Sequence, residues 1–279
     1  MTLFPVSLIL LAALLHAVWN AIVKQASDRM LSLGLVALGQ VIPGAILAVF
    51  LPFPGWEAFP YIIASTVIHW GYFTMLGRAY AHGDLSVVYP IARGSVPVLV
   101  SLWAWILIGE ALPLAAWGGI VMVTLGIQVV SWGALRGGVG RAAFFYALGT
   151  GFFISAYSVV DGIGVRLSVD TLAYVAWGAF LHAFIVVFVA ARRAPLLRGV
   201  PVRDVVIGLA GGAVSMLAYG LVLYAKTLTV LGAVSALRET SVVFAALIGV
   251  LLLGEGNWRR RLLSALIVAA GVVVIALSV

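Results

Sequence analysis

Arg93-Gly94-Ser95-Val96-Pro97-Val98 opens a stretch that runs through Gly109-Glu110 to Gly126, and Arg238-Glu239-Thr240-Ser241-Val242-Val243 opens another that runs through Gly254-Glu255 to Gly271. Shifted by 145 residues, the two align with nine identities over positions 93–129. Apolar identities carry little weight in a chain that is 64% hydrophobic. Charged residues make up only 9%, so a repeated Arg and a repeated Gly-Glu are informative. One inserted residue extends the match upstream to Tyr80-Ala81 and Tyr224-Ala225. The chain reads as a duplicated five-helix unit, 1–135 followed by 136–279.

Composition says where those helices sit. A soluble domain carries about a quarter charged residues, far above the share here, and the mean hydropathy is +1.21. Lipid is the solvent for most of the chain. At about 20 residues per crossing, ten helices use most of the 279 residues and leave only short connections. A soluble catalytic or sensory module is excluded. The apolar runs are continuous, which excludes a β-barrel with its alternating strands. With no cysteine there is no disulfide, thiolate metal site or cysteine nucleophile. The expected spans are 3–22, 31–50, 59–77, 85–108, 113–132, 143–163, 171–191, 205–225, 230–253 and 262–278. The first lacks a basic leading region and contains His16, Trp19 and Asn20, so it reads as a retained span and not as a cleaved signal.

Basic residues orient the spans. The odd-numbered connections hold Lys24, Arg29, Arg78, Arg136, Arg141, Arg192, Arg193, Arg198, Arg203 and Arg259 to Arg261, against Arg166 and Lys226 in the even-numbered ones. The odd connections are therefore expected in the cytoplasm, with both termini on the other side. Five is an odd number, so the second unit enters the bilayer from the opposite face. Such inverted repeats put a substrate site near the midplane and supply two pseudo-equivalent gates.

Ionisable groups at depth in a bilayer need a partner or a wet cavity. Arg93, between Pro90 and Pro97, reads either as an anion-binding guanidinium in a central cavity lined by proline-freed carbonyls, or as a member of a structural ion pair or a snorkelling side chain nearer the interface. Arg238 is its counterpart. Glu239 stands about 100° around the helix from Arg238, so it is expected to meet a group on another helix. Glu239 and Asp161 are the deep carboxylates and the candidates for proton coupling. His69, Trp19, Asn20, Tyr80, Tyr89, Tyr157 and Tyr219 complete the candidate substrate-binding set, with aromatic rings available for a cationic group. Glu110 and Glu255 end the fourth and ninth spans and read as gate or packing residues. His16 and His182 lie in the first and seventh spans. The histidines show no metal-ligand spacing, and neither a metal nor a cofactor is expected.

These features resemble the drug/metabolite transporter superfamily, and within it the EamA-type bacterial proteins. Ten short-looped helices, the five-plus-five repeat, and paired Gly-Glu elements followed by Gly126 and Gly271 carry the likeness over essentially the whole chain. His16-Ala17-Val18-Trp19-Asn20, Gly83-Asp84-Leu85-Ser86 and Tyr89-Pro90-Ile91-Ala92-Arg93-Gly94 are similar to a subgroup associated with phosphonate utilisation. Tyr89-Pro90 stands where aromatic amino-acid exporters carry an aromatic-rich Trp-Pro element, which argues against that substrate. The resemblance implies a secondary transporter of small metabolites, often an exporter, often proton-coupled or an exchanger. It further implies a cavity lined by helices one, three, four, six, eight and nine. It also implies cytoplasmic termini, where the loop charges imply the reverse; the charges are followed here.

The expectation is a non-enzymatic, alternating-access transporter in a bacterial inner membrane, moving an amino-acid-like or aminophosphonate-like metabolite. Its partners are that substrate, lipid and protons, without nucleic acid, and it is a monomer or weak dimer. A membrane-embedded enzyme lacks a clustered catalytic set here. A structural or sensory membrane protein leaves the inverted repeat and its buried charges unexplained.

Overall fold

The computed structural model describes residues 1–23, 29–83, 85–136, 140–197, 199–251 and 258–279. Among them the chain forms twelve helices: α1 Leu3–Val23, α2 Arg29–Phe50, α3 Phe59–His82, α4 Leu85–Ile108, α5 Leu114–Arg136, α6 Arg141–Leu167, α7 Thr171–Leu181, α8 Ala183–Leu197, α9 Val202–Leu228, α10 Leu231–Arg238, α11 Thr240–Leu251 and α12 Trp258–Ser278. These make ten spans, because α7 with α8 forms the seventh and α10 with α11 the ninth. Seven stretches among the described residues are long and apolar enough to cross a bilayer: Leu3–Asn20, Met30–Phe50, Val88–Ile108, Arg141–Leu167, Thr171–Arg193, Val202–Leu228 and Arg259–Ser278. The remaining three are α5, whose apolar part is Leu114–Val129, the divided ninth span, and α3. That last helix carries Ser65, Thr66, His69, Thr74 and Arg78, a polar load that its position explains below.

Pairing of the helices follows the repeat. The fifth and tenth spans cross where small residues let backbones meet. A Cβ at Gly119 would stand 2.7 Å from the Gly271 carbonyl oxygen, and one at Gly271 would stand 2.7 Å from that of Gly119. Ser264 Oγ donates to the Gly126 carbonyl at 2.7 Å in the same crossing. The pairs α3–α6 and α1–α9 are related by the same pseudo-symmetry, and α2 packs on both α7 and α9.

Two spans are interrupted midway along their length, and neither break is at a proline. His182 closes α7 with φ −65° and ψ −5°, and Glu239 closes α10 with φ −67° and ψ −10°. Thr240 Oγ1 donates to the Leu237 carbonyl at 2.8 Å, a back-bond that bends helices. The fourth span, with Pro90 and Pro97, stays continuous. Its carbonyls do not line a cavity, contrary to the expectation from sequence. Gln128 Nε2 donates to Pro90 O at 3.0 Å and Thr124 Oγ1 donates to Gly94 O at 3.0 Å, so α5 binds two carbonyls of α4 beside its prolines.

Candidate functional site

A cavity of about 220 Å³ lies between α1, α2, α3, α6, α7, α9 and α10. Spans two and seven thus contribute, and span four does not, which departs from the expected lining. Toward the even-numbered connections the cavity is sealed by Ala58, Ile62, Val165, Tyr174, Met216 and Leu223, all buried. Toward the odd-numbered connections its lining includes Trp19, Leu33 and Phe73, which are partly or fully exposed. The less buried part of the lining is on the odd-loop side.

Behind the seal, Arg166 Nη1 meets Glu110 Oε1 at 2.6 Å, while Arg166 Nε and Nη2 donate to the carbonyls of Lys226 and Thr229 at 2.7 and 2.8 Å. Glu110 Oε2 accepts from the Leu231 backbone N–H at 2.7 Å, at the start of α10. An acidic group there also suits the positive end of the helix dipole. Glu110 thus ties the connection after α4 to α6 and α10, whereas its counterpart Glu255 lies outside the described residues.

The two pseudo-equivalent arginines stand differently. Arg93 is 6% exposed, does not line the cavity, and pairs with Glu239 at 3.0 Å, itself 1% exposed. Arg93 Nε and Glu239 Oε2 find no hydrogen-bond partner, so the pair is bound by charge more than by aligned donors. An arginine so engaged does not present a free fork to a ligand, and neither Arg93 nor Glu239 is part of the cavity lining. Arg238 does line the cavity. Its guanidinium carbon sits 5.5 Å from the Tyr219 ring centroid, and no carboxylate among the described residues lies within ion-pair distance of it.

Asp161 is only 4% exposed and reaches the cavity. Tyr174 donates to Oδ1 at 3.0 Å and Tyr219 to Oδ2 at 2.5 Å. Each carboxylate oxygen keeps a further lone pair. His69 stacks on Tyr157 with ring centroids 4.0 Å apart, and its Nδ1 lies 2.7 Å from the Ser65 carbonyl oxygen. A carbonyl only accepts, so Nδ1 carries the hydrogen and Nε2 is an acceptor. His182 Nδ1 lies 2.7 Å from Gln40 Oε1, while Gln40 Nε2 donates to Ser215 Oγ at 3.1 Å, which sets the same tautomer. His16 is the reverse. Trp19 Nε1 donates to its Nδ1 at 3.3 Å, leaving the hydrogen on Nε2. One wall, α3 with α7 and Asp161 of α6, therefore offers acceptors. The facing set on α1 and α10, His16 and Arg238, offers donors.

Other expected site residues lie elsewhere. Asn20 donates to its own helix at the His16 carbonyl, 2.7 Å away, and is exposed. Tyr89 is 36% exposed and, like Tyr80, is absent from the cavity lining. Trp19, His69, Tyr157 and Tyr219 do line it. Gln40, Ser215 and Tyr174 were not anticipated, although a glutamine inside an apolar span is itself a signal. Lys226 was placed with the loops; its side chain is fully buried in the last turn of α9. No cluster of three or more metal-ligating side chains occurs among the described residues.

Residues 141–277 match the EamA-like transporter family. The second half of the chain thus carries an EamA-like transporter unit. Its fold matches a solved crystal structure with a TM-score of 0.75, over 99% of this chain and 98% of the other, at 19% identity. That identity shows the fold alone. None of the curated proteins matches in sequence. The EamA-like chain is an integral membrane protein and a transporter of small molecules, built from two inverted five-helix repeats.

Proposed function

We propose that the protein is a secondary active transporter of a small zwitterion, amino-acid-like or aminophosphonate-like. It would work by alternating access as an exporter or exchanger in a bacterial inner membrane. The observation that carries this is the polarity of the cavity. Arg238, free of any carboxylate partner among the described residues, offers a planar bidentate fork to a carboxylate or phosphonate. Asp161 and the imidazole acceptors of His69 and His182 stand ready for an amine. The Arg166–Glu110 connection and the apolar seal close the even-loop face, and the less buried odd-loop side would give access. With the basic odd connections in the cytoplasm, this is the state an exporter loads from. Of the two coupling carboxylates expected from sequence, Asp161 faces the cavity, and Glu239 is spent on Arg93.

The test is counterflow in proteoliposomes preloaded with one of a panel of amino acids and aminophosphonates. Uptake of the labelled counterpart is expected for at least one member and is lost in Arg238→Ala and Asp161→Asn. Retained counterflow in both variants would remove the assignment of the cavity as the substrate site. Absence of counterflow across the whole panel would remove the zwitterion.

A further inference from the structure

Lys226 has no part in the scheme so far, and its surroundings set it apart. Nζ donates to the Ser158 carbonyl at 2.7 Å and to Ser158 Oγ at 2.9 Å. Two acceptors satisfy both N–H groups of a neutral amine, whereas the third N–H of an ammonium finds none among the described residues. No carboxylate among the described residues lies within ion-pair distance. The acid whose field reaches it is Asp161, one helical turn beyond Ser158 on α6. Tyr219 links the two: its ring centroid is 6.0 Å from Nζ, and its hydroxyl donates to Asp161. The other groups facing this region are Arg166 and Tyr157 on α6, Arg238 on α10, Tyr174 on α7 and His69 on α3. Both arginines act on Lys226 with like charge.

We infer that Lys226 is a proton-binding site whose occupancy competes with a cationic substrate group for the field of Asp161. With Lys226 protonated, Asp161 is compensated from the protein side. An amine arriving from the cavity brings a second cation into the same water-poor site, where like charges repel strongly. One Nζ–H bond then breaks, its electron pair stays on nitrogen, and the proton passes to the cavity water. Lys226 remains as a neutral amine with both hydrogen bonds to Ser158 intact. One cationic group enters for each proton that leaves, so the charge of the site is unchanged, and the linkage is reciprocal. This rests on the transport reading only in taking Asp161 as the seat of a cationic group.

The experiment is calorimetric titration of the full-length protein with methylammonium, in two buffers of different ionisation enthalpy and over a range of pH. The wild type is expected to release about one proton per ligand, and its affinity to rise by up to about tenfold per pH unit, the limit for a single linked proton. Lys226→Gln should bind with no proton released and no pH dependence. Lys226→Arg keeps the charge permanently, so it should bind at least about tenfold more weakly and release none. It also serves if the glutamine variant does not fold. Asp161→Asn should not bind. Unchanged release in either Lys226 variant, no release in the wild type, or no methylammonium binding would each overturn the inference. Counterflow of the amino-acid panel separates the two claims. Its failure beside intact proton release sinks the transport reading alone, and the converse sinks the proton site alone.

Discussion

Arg93 and Arg238 occupy the same place in two copies of one unit, and they do different work. Arg93 is locked against Glu239 of the other repeat; Arg238 faces the cavity over Tyr219. The same divergence runs through their helices. α4 is continuous and two of its carbonyls are bound by α5, whereas the ninth span breaks beside Arg238. Duplication supplies two equivalent groups, and a transporter resting with one face closed needs them inequivalent. On the function proposed above, one arginine holds the repeats together and the other meets the substrate.

The largest effect that tests this is on stability. Arg93→Met leaves Glu239 buried without its partner and should cost about 3–5 kcal/mol, while replacing both by methionine should recover most of the loss. Arg238→Met removes no ion pair and should cost far less. Thermal unfolding in detergent measures both, and the comparison breaks if Arg238→Met is the more damaging of the two.

Ligand affinity should rank the pair the other way. Arg238→Lys replaces a fork with a point charge and should weaken binding of a counterflow substrate by at least about tenfold. Arg93→Lys should leave the affinity of the surviving folded protein near the wild-type value. A reversal of that order would return the anion site to Arg93.

Sequence made some of this legible. The repeated Arg and Gly-Glu, rare residues in an apolar chain, revealed the duplication, and spans such as 85–108 match the observed α4. The repeat alone does not say which arginine faces the cavity, but the sequence carries the asymmetry, since Gly94 stands where the second repeat has Glu239 and only Arg93 finds that carboxylate across the repeats. From sequence Lys226 looks like a loop residue because it follows the expected eighth span by one position. Its spacing of seven from Tyr219 places both on one helix face, and that was the signal available. Gln40 was passed over because its partners, His182 and Ser215, are distant in sequence and meet only in the folded bundle.

The two faces of the bundle give a further contrast. Glu110→Gln weakens the contact with Arg166, and a part-exposed pair of this kind is worth about 1 kcal/mol. Opening of the even-loop face should follow. The chain has no native cysteine, so a single Ala58→Cys in the seal reports on that opening without a background. Its labelling should rise several-fold in Glu110→Gln, relative to a Trp56→Cys control on the exposed surface. An unchanged rate would mean that the apolar seal alone closes this face. In intact cells an impermeant reagent should label Trp56→Cys and spare Arg203→Cys; the opposite pattern reverses the orientation.

The smallest expected effect is the sharpest on the helix break itself. Ser95 and Thr240 are pseudo-equivalent and make the same bond, Ser95 Oγ to the Ala92 carbonyl and Thr240 Oγ1 to that of Leu237, each 2.8 Å long. In α4 that carbonyl sits within a continuous helix whose own ladder supplies a donor. At Leu237 the helix stops one residue later, and the hydroxyl is a substitute for the interrupted ladder. Thr240→Val should therefore cost about 1 kcal/mol, the net value of one hydrogen bond, and Ser95→Ala about half of that or less. Paired unfolding curves of the two variants settle the matter. Equal costs would mean that the hydroxyl does not hold the break, and that the Arg93–Glu239 pair, pulling Glu239 toward the first repeat, is what divides the ninth span.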